Sequence, residues 1–249
     1  MKVCVIGLGN IGIPVLEYIS KRGFQVYGYD VAEKSIKAIE TFTGWEDVPK
    51  CDVYVVTVSS NSVEDVCKKI SNKNKNSLVC IESTVPVGTC RKISESFDLS
   101  TLVHCPHRFW VEDPINHGVR QLRVIGAISE ESLRLGLDFY RSLDIPLHVC
   151  GSIEIAEMCK IAENAYRFVQ IAFAEELRMI CESRKISFDD VREACNTKWN
   201  TEILEAREGI LGACLPKDTR YLRLLVDRAP LLDGAILTDK NYQKWIKRF

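Results

Sequence analysis

Nowhere does this sequence run apolar for long enough to cross a bilayer, so no membrane partner is expected of it. Neither charge is in excess. Against 34 Asp and Glu stand 33 Lys and Arg, and a net charge of -1 leaves no electrostatic footprint for nucleic acid or anionic lipid. No C-x-x-C pair occurs and the four histidines are scattered, so no metal site is expected. The eleven cysteines are an odd number, and Cys4, Cys51, Cys80, Cys105 and Cys150 sit in or beside apolar strand-like runs. They read as small buried thiols in a reducing compartment rather than as a disulfide frame. Internal repeats and low-complexity segments are also missing. Met1 and Lys2 lead straight into a strand-like run with no room for a signal peptide, which points to the cytoplasm. What remains is an ordinary globular composition, 46% apolar and 27% charged over 249 residues, enough for one large domain or two modest ones.

The first 150 residues alternate short apolar runs with helical stretches, the pattern of parallel strands joined by crossover helices. Strands are expected near residues 2–6, 25–29, 53–58, 77–82, 102–105, 120–125 and 147–150, with helices near 11–22, 32–41, 62–71, 88–97 and 130–143. Residues 1–150 thus form one domain, a doubly wound α/β sheet, and 151–249 a second, all-α one. Residues 152–184 read as a single helix of that second domain, with no Gly or Pro inside and Ser152 able to cap its start. Its middle, 161–173, is apolar around most of its circumference, which demands burial. Glu157, Lys160, Asn164 and Arg167 follow at steps of three and four and so share one polar face. After Pro230, read as a break, a short amphipathic piece at 241–249 ends the chain.

The run VCVIGLGNIG sets Gly7, Gly9 and Gly12 in G-x-G-x-x-G spacing after one strand and at the opening of a helix. Gly7 permits a tight turn, Gly9 lets the backbone approach a diphosphate, and Gly12 lets the helix lie against the strand, with the phosphates on the helix N-terminus. Asn10 and Ile11 lie within that turn. Asp30, ending the second strand, would hydrogen-bond ribose hydroxyls and repel a 2'-phosphate. The expected cofactor is NAD, on a Rossmann-type domain.

Three further segments, IESTVPVGT (81–89), EMCKIAENAYRFVQIAFAEELRMICE (157–182) and GILGACLPKDTRYL (209–222), carry a more specific likeness. With GLGNIG they resemble, in order and spacing, the UDP-glucose, UDP-N-acetylmannosamine and GDP-mannose dehydrogenase family. The resemblance implies a Rossmann domain followed by an all-α dimerisation domain built on a long central helix, in the 6-phosphogluconate dehydrogenase manner, and a homodimer formed through that helix. It also implies oxidation of a nucleotide-sugar alcohol through an aldehyde to a uronic acid, with two NAD reduced. Cys214 then matches the nucleophile that forms a thiohemiacetal and a thioester, with Lys160 and Lys217 as nearby cations. Lys160 and Asn164 match the pair that meets the sugar hydroxyl and steadies an oxyanion. Asp218 matches a carboxylate that assists water or proton transfer, against the plainer reading of a helix cap. Thr84 matches a hydroxyl near the nicotinamide, and Val58 and Lys217 join the cofactor contacts. Arg167 and Lys198 are expected on the substrate.

Departures from the family pattern also stand in the sequence. Where relatives carry a glutamate in C-P-E-R, this chain has His107 in Cys105-Pro106-His107-Arg108; a neutral imidazole serves as a base near pH 7, while a satisfied loop histidine is the plain alternative. Leu211 replaces a glycine before the cysteine, the connection after Asp30 is short, and the family's C-terminal nucleotide-binding domain has no counterpart among these residues. Two other readings stay open: a non-catalytic NAD-binding dimer, and a two-electron 3-hydroxyacid dehydrogenase, which has no use for a thiol nucleophile.

Overall fold

The computed structural model describes residues 1–248; Phe249, the end of the expected terminal piece, lies outside them. The chain divides into two units, Met1–Lys160 and Ile161–Phe249.

In the first unit eight strands form one sheet in the order β3-β2-β1-β4-β5-β6-β7-β8. They are β1 (Lys2–Ile6), β2 (Gln25–Tyr29), β3 (Glu40–Phe42), β4 (Val53–Val56), β5 (Leu78–Ile81), β6 (Leu102–His104), β7 (Arg123–Ala127) and β8 (Leu147–Val149). Helices α1 (Gly12–Ser20), α2 (Val63–Asn74), α3 (Thr89–Phe97) and α4 (Glu130–Ser142) connect them. Side chains alternate across the strands. Val3, Val5, Val55, Cys80 and Val103 join α1 and α4 in one core, whereas Cys4, Ile6, Tyr54, Val79 and Ile81 join α2 and α3 in the other. Both faces being covered, these strands read as continuous apolar runs.

Two expectations for this unit fail. Residues 32–41 form no helix: Asp30 Oδ1 accepts the Ala32 N–H at 2.9 Å, turning the chain, and a single bridge joins Ile36 to Ile39 before β3 pairs in parallel with β2. Residues 31–39 are too short a link for a helical crossover, which takes about a dozen residues or more. The sheet is also not wholly parallel. β7 begins at Arg123 rather than at residue 120 and runs antiparallel to β6, because the link from β6 holds only a π-helical turn, Ile115–Val119, and an antiparallel neighbour needs no crossover.

Helix α5 (Ile153–Ser183) has 31 residues and is about 46 Å long at ~1.5 Å per residue. It opens over Ser152, whose hydroxyl accepts the Ile155 N–H at 3.3 Å, and ends before Lys185, a non-glycine residue at φ 56°. Its first turns belong to the first unit. The remainder packs in the second unit with α6 (Phe188–Asn196), α7 (Cys214–Arg223) and α8 (Pro230–Ile246). There Phe168 and Ala172 meet Ile210 and Ala235, while Ala174 meets Ile203, Leu204, Ala206 and Tyr242. Arg178 ties the irregular chain to this core, donating to Ala206 O at 2.7 Å and to Tyr242 Oη at 2.8 Å. Pro230 starts a helix instead of breaking one: at the first helical position its missing N–H costs nothing. The all-round burial expected of residues 161–173 is incomplete in the single chain, where Tyr166 is 66% and Phe173 56% exposed. Among the described residues no helix is long and apolar enough to cross a membrane.

Candidate active site

The glycine turn after β1 is built as its spacing demands. Gly7 sits at φ 93° with its N–H on Tyr29 O at 2.8 Å, and a Cβ on Gly12 would come within 1.8 Å of Gly7 O. A Cβ on Gly9, in contrast, would meet nothing within 4 Å, so there the backbone faces open space. No side chain caps α1; the Ile13 and Val15 N–H groups are bonded to Gly9 O and Ile11 O and Pro14 has none, so an anion would meet the Gly12 end of the turn. Asp30 is locked beside them, its Oδ2 accepting the Leu8 N–H at 2.7 Å. Gly7, Gly9, Asp30, Thr57, Val58 and Lys69 line a cavity of about 440 Å³. Asn10, exposed, and Ile11, half-buried, follow Gly9 in the turn but do not line this cavity. An open Gly9, a helix start with no side-chain cap and a fixed carboxylate at the end of β2 fit a dinucleotide: diphosphate on the turn, ribose on Asp30.

Beyond β5 lies a second constellation of the first unit. Thr84 is half-buried just past the strand, and His107, beyond β6, is 3% exposed. His107 Nδ1 lies 3.1 Å from Glu82 Oε2, while Nε2 is buried without a hydrogen-bond partner among the described residues. Glu82 Oε1 pairs with Arg123 Nη1 at 2.8 Å and accepts from Tyr140 Oη at 3.0 Å. Burial alone would raise the Glu82 pKa, but the Arg123 charge and the His107 bond overcome it and hold the carboxyl at about 2. Burial, aided by Arg123, lowers His107 from its ordinary value despite Glu82, so the ring is neutral at pH 7. Sequence reading missed Glu82, Arg123 and Tyr140. The available signal was a charge at the end of one apolar run and inside another, since buried charges need partners.

The polar face expected on α5 loses one member. Glu157 is fully buried, and its two oxygens accept the Gly88 and Cys90 N–H groups at 2.6 and 2.8 Å, capping α3. Burial raises its pKa against the pull of those bonds. The carboxylate is drawn to the positive end of α3 rather than to water. Lys160 is half-buried at the end of the first unit; Asn164 follows one helical turn on, and Arg167 is exposed.

In the second unit Asn164 Nδ2 donates to Asp218 Oδ2 at 2.5 Å, and Lys217 Nζ pairs with Asp218 Oδ1. Asp218 is 1% exposed and lies inside α7, not at its cap. Lys217 Nζ also sits 4.6 Å from the Tyr221 ring centroid. Cys214 is the first residue of α7 and the one exposed cysteine; eight of the others are buried. Gly212, at φ 88° with open space where a Cβ would stand, makes the turn into it, flanked by exposed Leu211. Lys198 is exposed, next to the exposed Trp199.

Fold and cofactor cradle together define an NAD-binding Rossmann protein with a helical second unit. Residues 2–103 match the NAD binding domain of 6-phosphogluconate dehydrogenase, and residues 154–235 match the central domain of the UDP-glucose/GDP-mannose dehydrogenase family. Each match covers less than half of the chain. It is 27% identical to the UDP-N-acetyl-D-mannosamine dehydrogenase of Methanococcus vannielii over 94% of this chain and 64% of that protein. To the enzyme of the same name from Methanocaldococcus jannaschii it is 29% identical, over 89% of this chain and 61% of the other. The structure of UDP-D-ManNAc dehydrogenase from Pyrococcus horikoshii has the same fold, with a TM-score of 0.90 at 23% identity, over 99% of this chain and 70% of that one. The chain spans less than two thirds of the length of the two sequence relatives.

Proposed function

We propose that the protein is an NAD-dependent nucleotide-sugar dehydrogenase that oxidises a sugar alcohol through an aldehyde and a Cys214 thioester to a uronic acid. The observation that supports it most is Cys214: a single exposed thiol, opening a helix whose next turn carries Lys217 and Asp218, with Asp218 bonded to Asn164.

Gly7, Gly9, Asn10, Ile11, Gly12, Asp30 and Val58 would hold NAD, which when bound would accept the hydride in each of the two oxidations. In the first, Lys160 and Asn164 hold the sugar hydroxyl as its carbon loses a hydride, and Asp218 takes the hydroxyl proton by way of water. In the second, the Cys214 sulfur bonds to the aldehyde carbon, and Lys160 faces the oxyanion that develops. Loss of a second hydride leaves a thioester. A water oxygen then bonds to the thioester carbon, the C–S bond breaks, the thiolate leaves and His107 accepts the water proton. Thr84 positions that water, and Arg167 and Lys198 meet the anionic end of the substrate. The names of the sequence relatives favour UDP-N-acetylmannosamine as the first substrate to try. Exposed Tyr166, Phe173 and Trp199 favour a homodimer through α5, and uniformly free thiols favour the cytoplasm.

The test is to count NADH formed per sugar consumed over a panel of UDP- and GDP-sugars. Two per sugar supports the proposal, and Cys214→Ser should then halt at the aldehyde or lose activity. One per sugar identifies a two-electron dehydrogenase. No turnover with tight NAD binding identifies the non-catalytic dimer.

A further inference from the structure

We infer that Glu82 is a positioning residue for His107, holding the imidazole as the neutral Nδ1–H tautomer with Nε2 as the bare proton acceptor. This rests on the reading just given for the hydrolytic step, but its geometry lies wholly within the first unit.

The argument starts from what Glu82 can do. Paired with Arg123 at 2.8 Å and bonded by Tyr140 at 3.0 Å, it is an ionised carboxylate and can only accept hydrogen bonds. The His107 nitrogen that faces it at 3.1 Å, Nδ1, must therefore carry the proton. A neutral imidazole has one N–H, so Nε2 is left with its lone pair. The ring stays neutral because burial and Arg123 outweigh Glu82 in setting its pKa, and Lys160 acts in the same direction as Arg123. The charged and titratable groups around the ring are Glu82 past β5, His104 on β6, Arg123 on β7, Tyr140 on α4 and Lys160 on α5; burial holds His104 down at about 4, so it too is neutral. Two thiols beside Tyr140, Cys80 and Cys105, are held up by burial and stay neutral.

Among the described residues Nε2 meets no hydrogen-bond donor or acceptor. It faces Gly118, where a Cβ would stand 3.5 Å away, in ordinary contact. A buried nitrogen without a partner is costly to keep, and a lone pair reserved for a proton accounts for it. In hydrolysis the water proton goes to Nε2 as the oxygen bonds to the thioester carbon and the sulfur leaves with its electron pair. The resulting imidazolium is stabilised by Glu82.

The first test needs no substrate. Long-range proton–nitrogen correlation spectra of the uniformly labelled protein, assigned with His107→Gln, should show a protonated Nδ1 and a bare Nε2 at pH 7 to 8, with any titration below the ordinary 6.5. A proton on Nε2, or titration at or above pH 6.5, overturns the inference whether or not the protein turns over sugar. The second separates positioning from scaffolding. Glu82→Gln should slow uronic acid release tenfold or more with the first hydride transfer within twofold, and should move the acid limb of the rate profile to lower pH, since Glu82 raises the His107 pKa. Equal loss in both steps, or an unmoved limb, counts against it. Gly118→Ala spares the Glu82–Arg123 pair if Glu82→Gln does not fold. Its methyl group should cover Nε2 and slow only the hydrolytic step; no change there also overturns the proposal.

Discussion

Glu175 on α5 makes the second unit sensitive to alkali, and replacing it should remove that sensitivity. Its side chain is fully buried, and neither oxygen has a hydrogen-bond partner among the described residues. Its neighbour Asp239 on α8 is the member supplied with donors: the Ile210 N–H at 2.8 Å and the Gln243 amide at 3.0 Å. Burial first, and the Asp239 charge second, push the Glu175 pKa from 4.5 to about 8. The folded chain thus keeps a proton that the unfolded chain has released. Stability is intact below pH 4.5 and declines as pH rises through about 8. At ~1.4 kcal/mol per unit the full loss is about 3–5 kcal/mol. Glu175→Gln keeps the shape without the titration. In urea unfolding followed by circular dichroism it should match the parent within ~1 kcal/mol at pH 5 and exceed it by about 3–5 kcal/mol at pH 9. Parallel stability curves for the two proteins would refute the reasoning.

The cofactor half of the molecule was legible because its constraints are local. A turn that needs a positive φ at Gly7 and contact with Gly12 leaves glycine as the residue that fits, and the pattern therefore shows in a few consecutive letters. Long helix α5 was legible for a similar reason, as an unbroken run without Gly or Pro. The failures share the opposite cause. Residues 32–41 carry apolar spacing compatible with a helix, but the choice was made by an Asp30 turn and a link too short for a crossover. Glu157 has the correct spacing for the polar stripe, yet its partners are the N–H groups of residues 88 and 90, far away in sequence. Tyr166 and Phe173 looked buried from periodicity alone, which cannot distinguish a core from a face open in the single chain. The Glu82–Arg123–Tyr140 cluster draws on three elements, and no spacing rule joins them.

Gly9 and Gly12 should separate binding from folding. Gly9→Val should keep the parent's melting temperature while weakening NAD at least tenfold by calorimetry, whereas Gly12→Val, forced against Gly7 O, should lower both. Glu157→Ala should cost about 2–5 kcal/mol in urea unfolding by leaving one buried and one part-buried N–H group unpaired; less than ~1 kcal/mol would show water taking the cap. The Asn164–Asp218 contact is best tested with a double-mutant cycle, because each partner also has a proposed chemical role. A 2.5 Å bond to a carboxylate that is 1% exposed implies a coupling of about 1.5–3 kcal/mol between Asn164→Ala and Asp218→Ala in unfolding. Coupling below ~0.5 kcal/mol would mean that Lys217 alone holds the carboxylate. Asn164 would then be set by α5, not by Asp218, and the carboxylate would lose its claim to orient the amide proposed to meet the sugar.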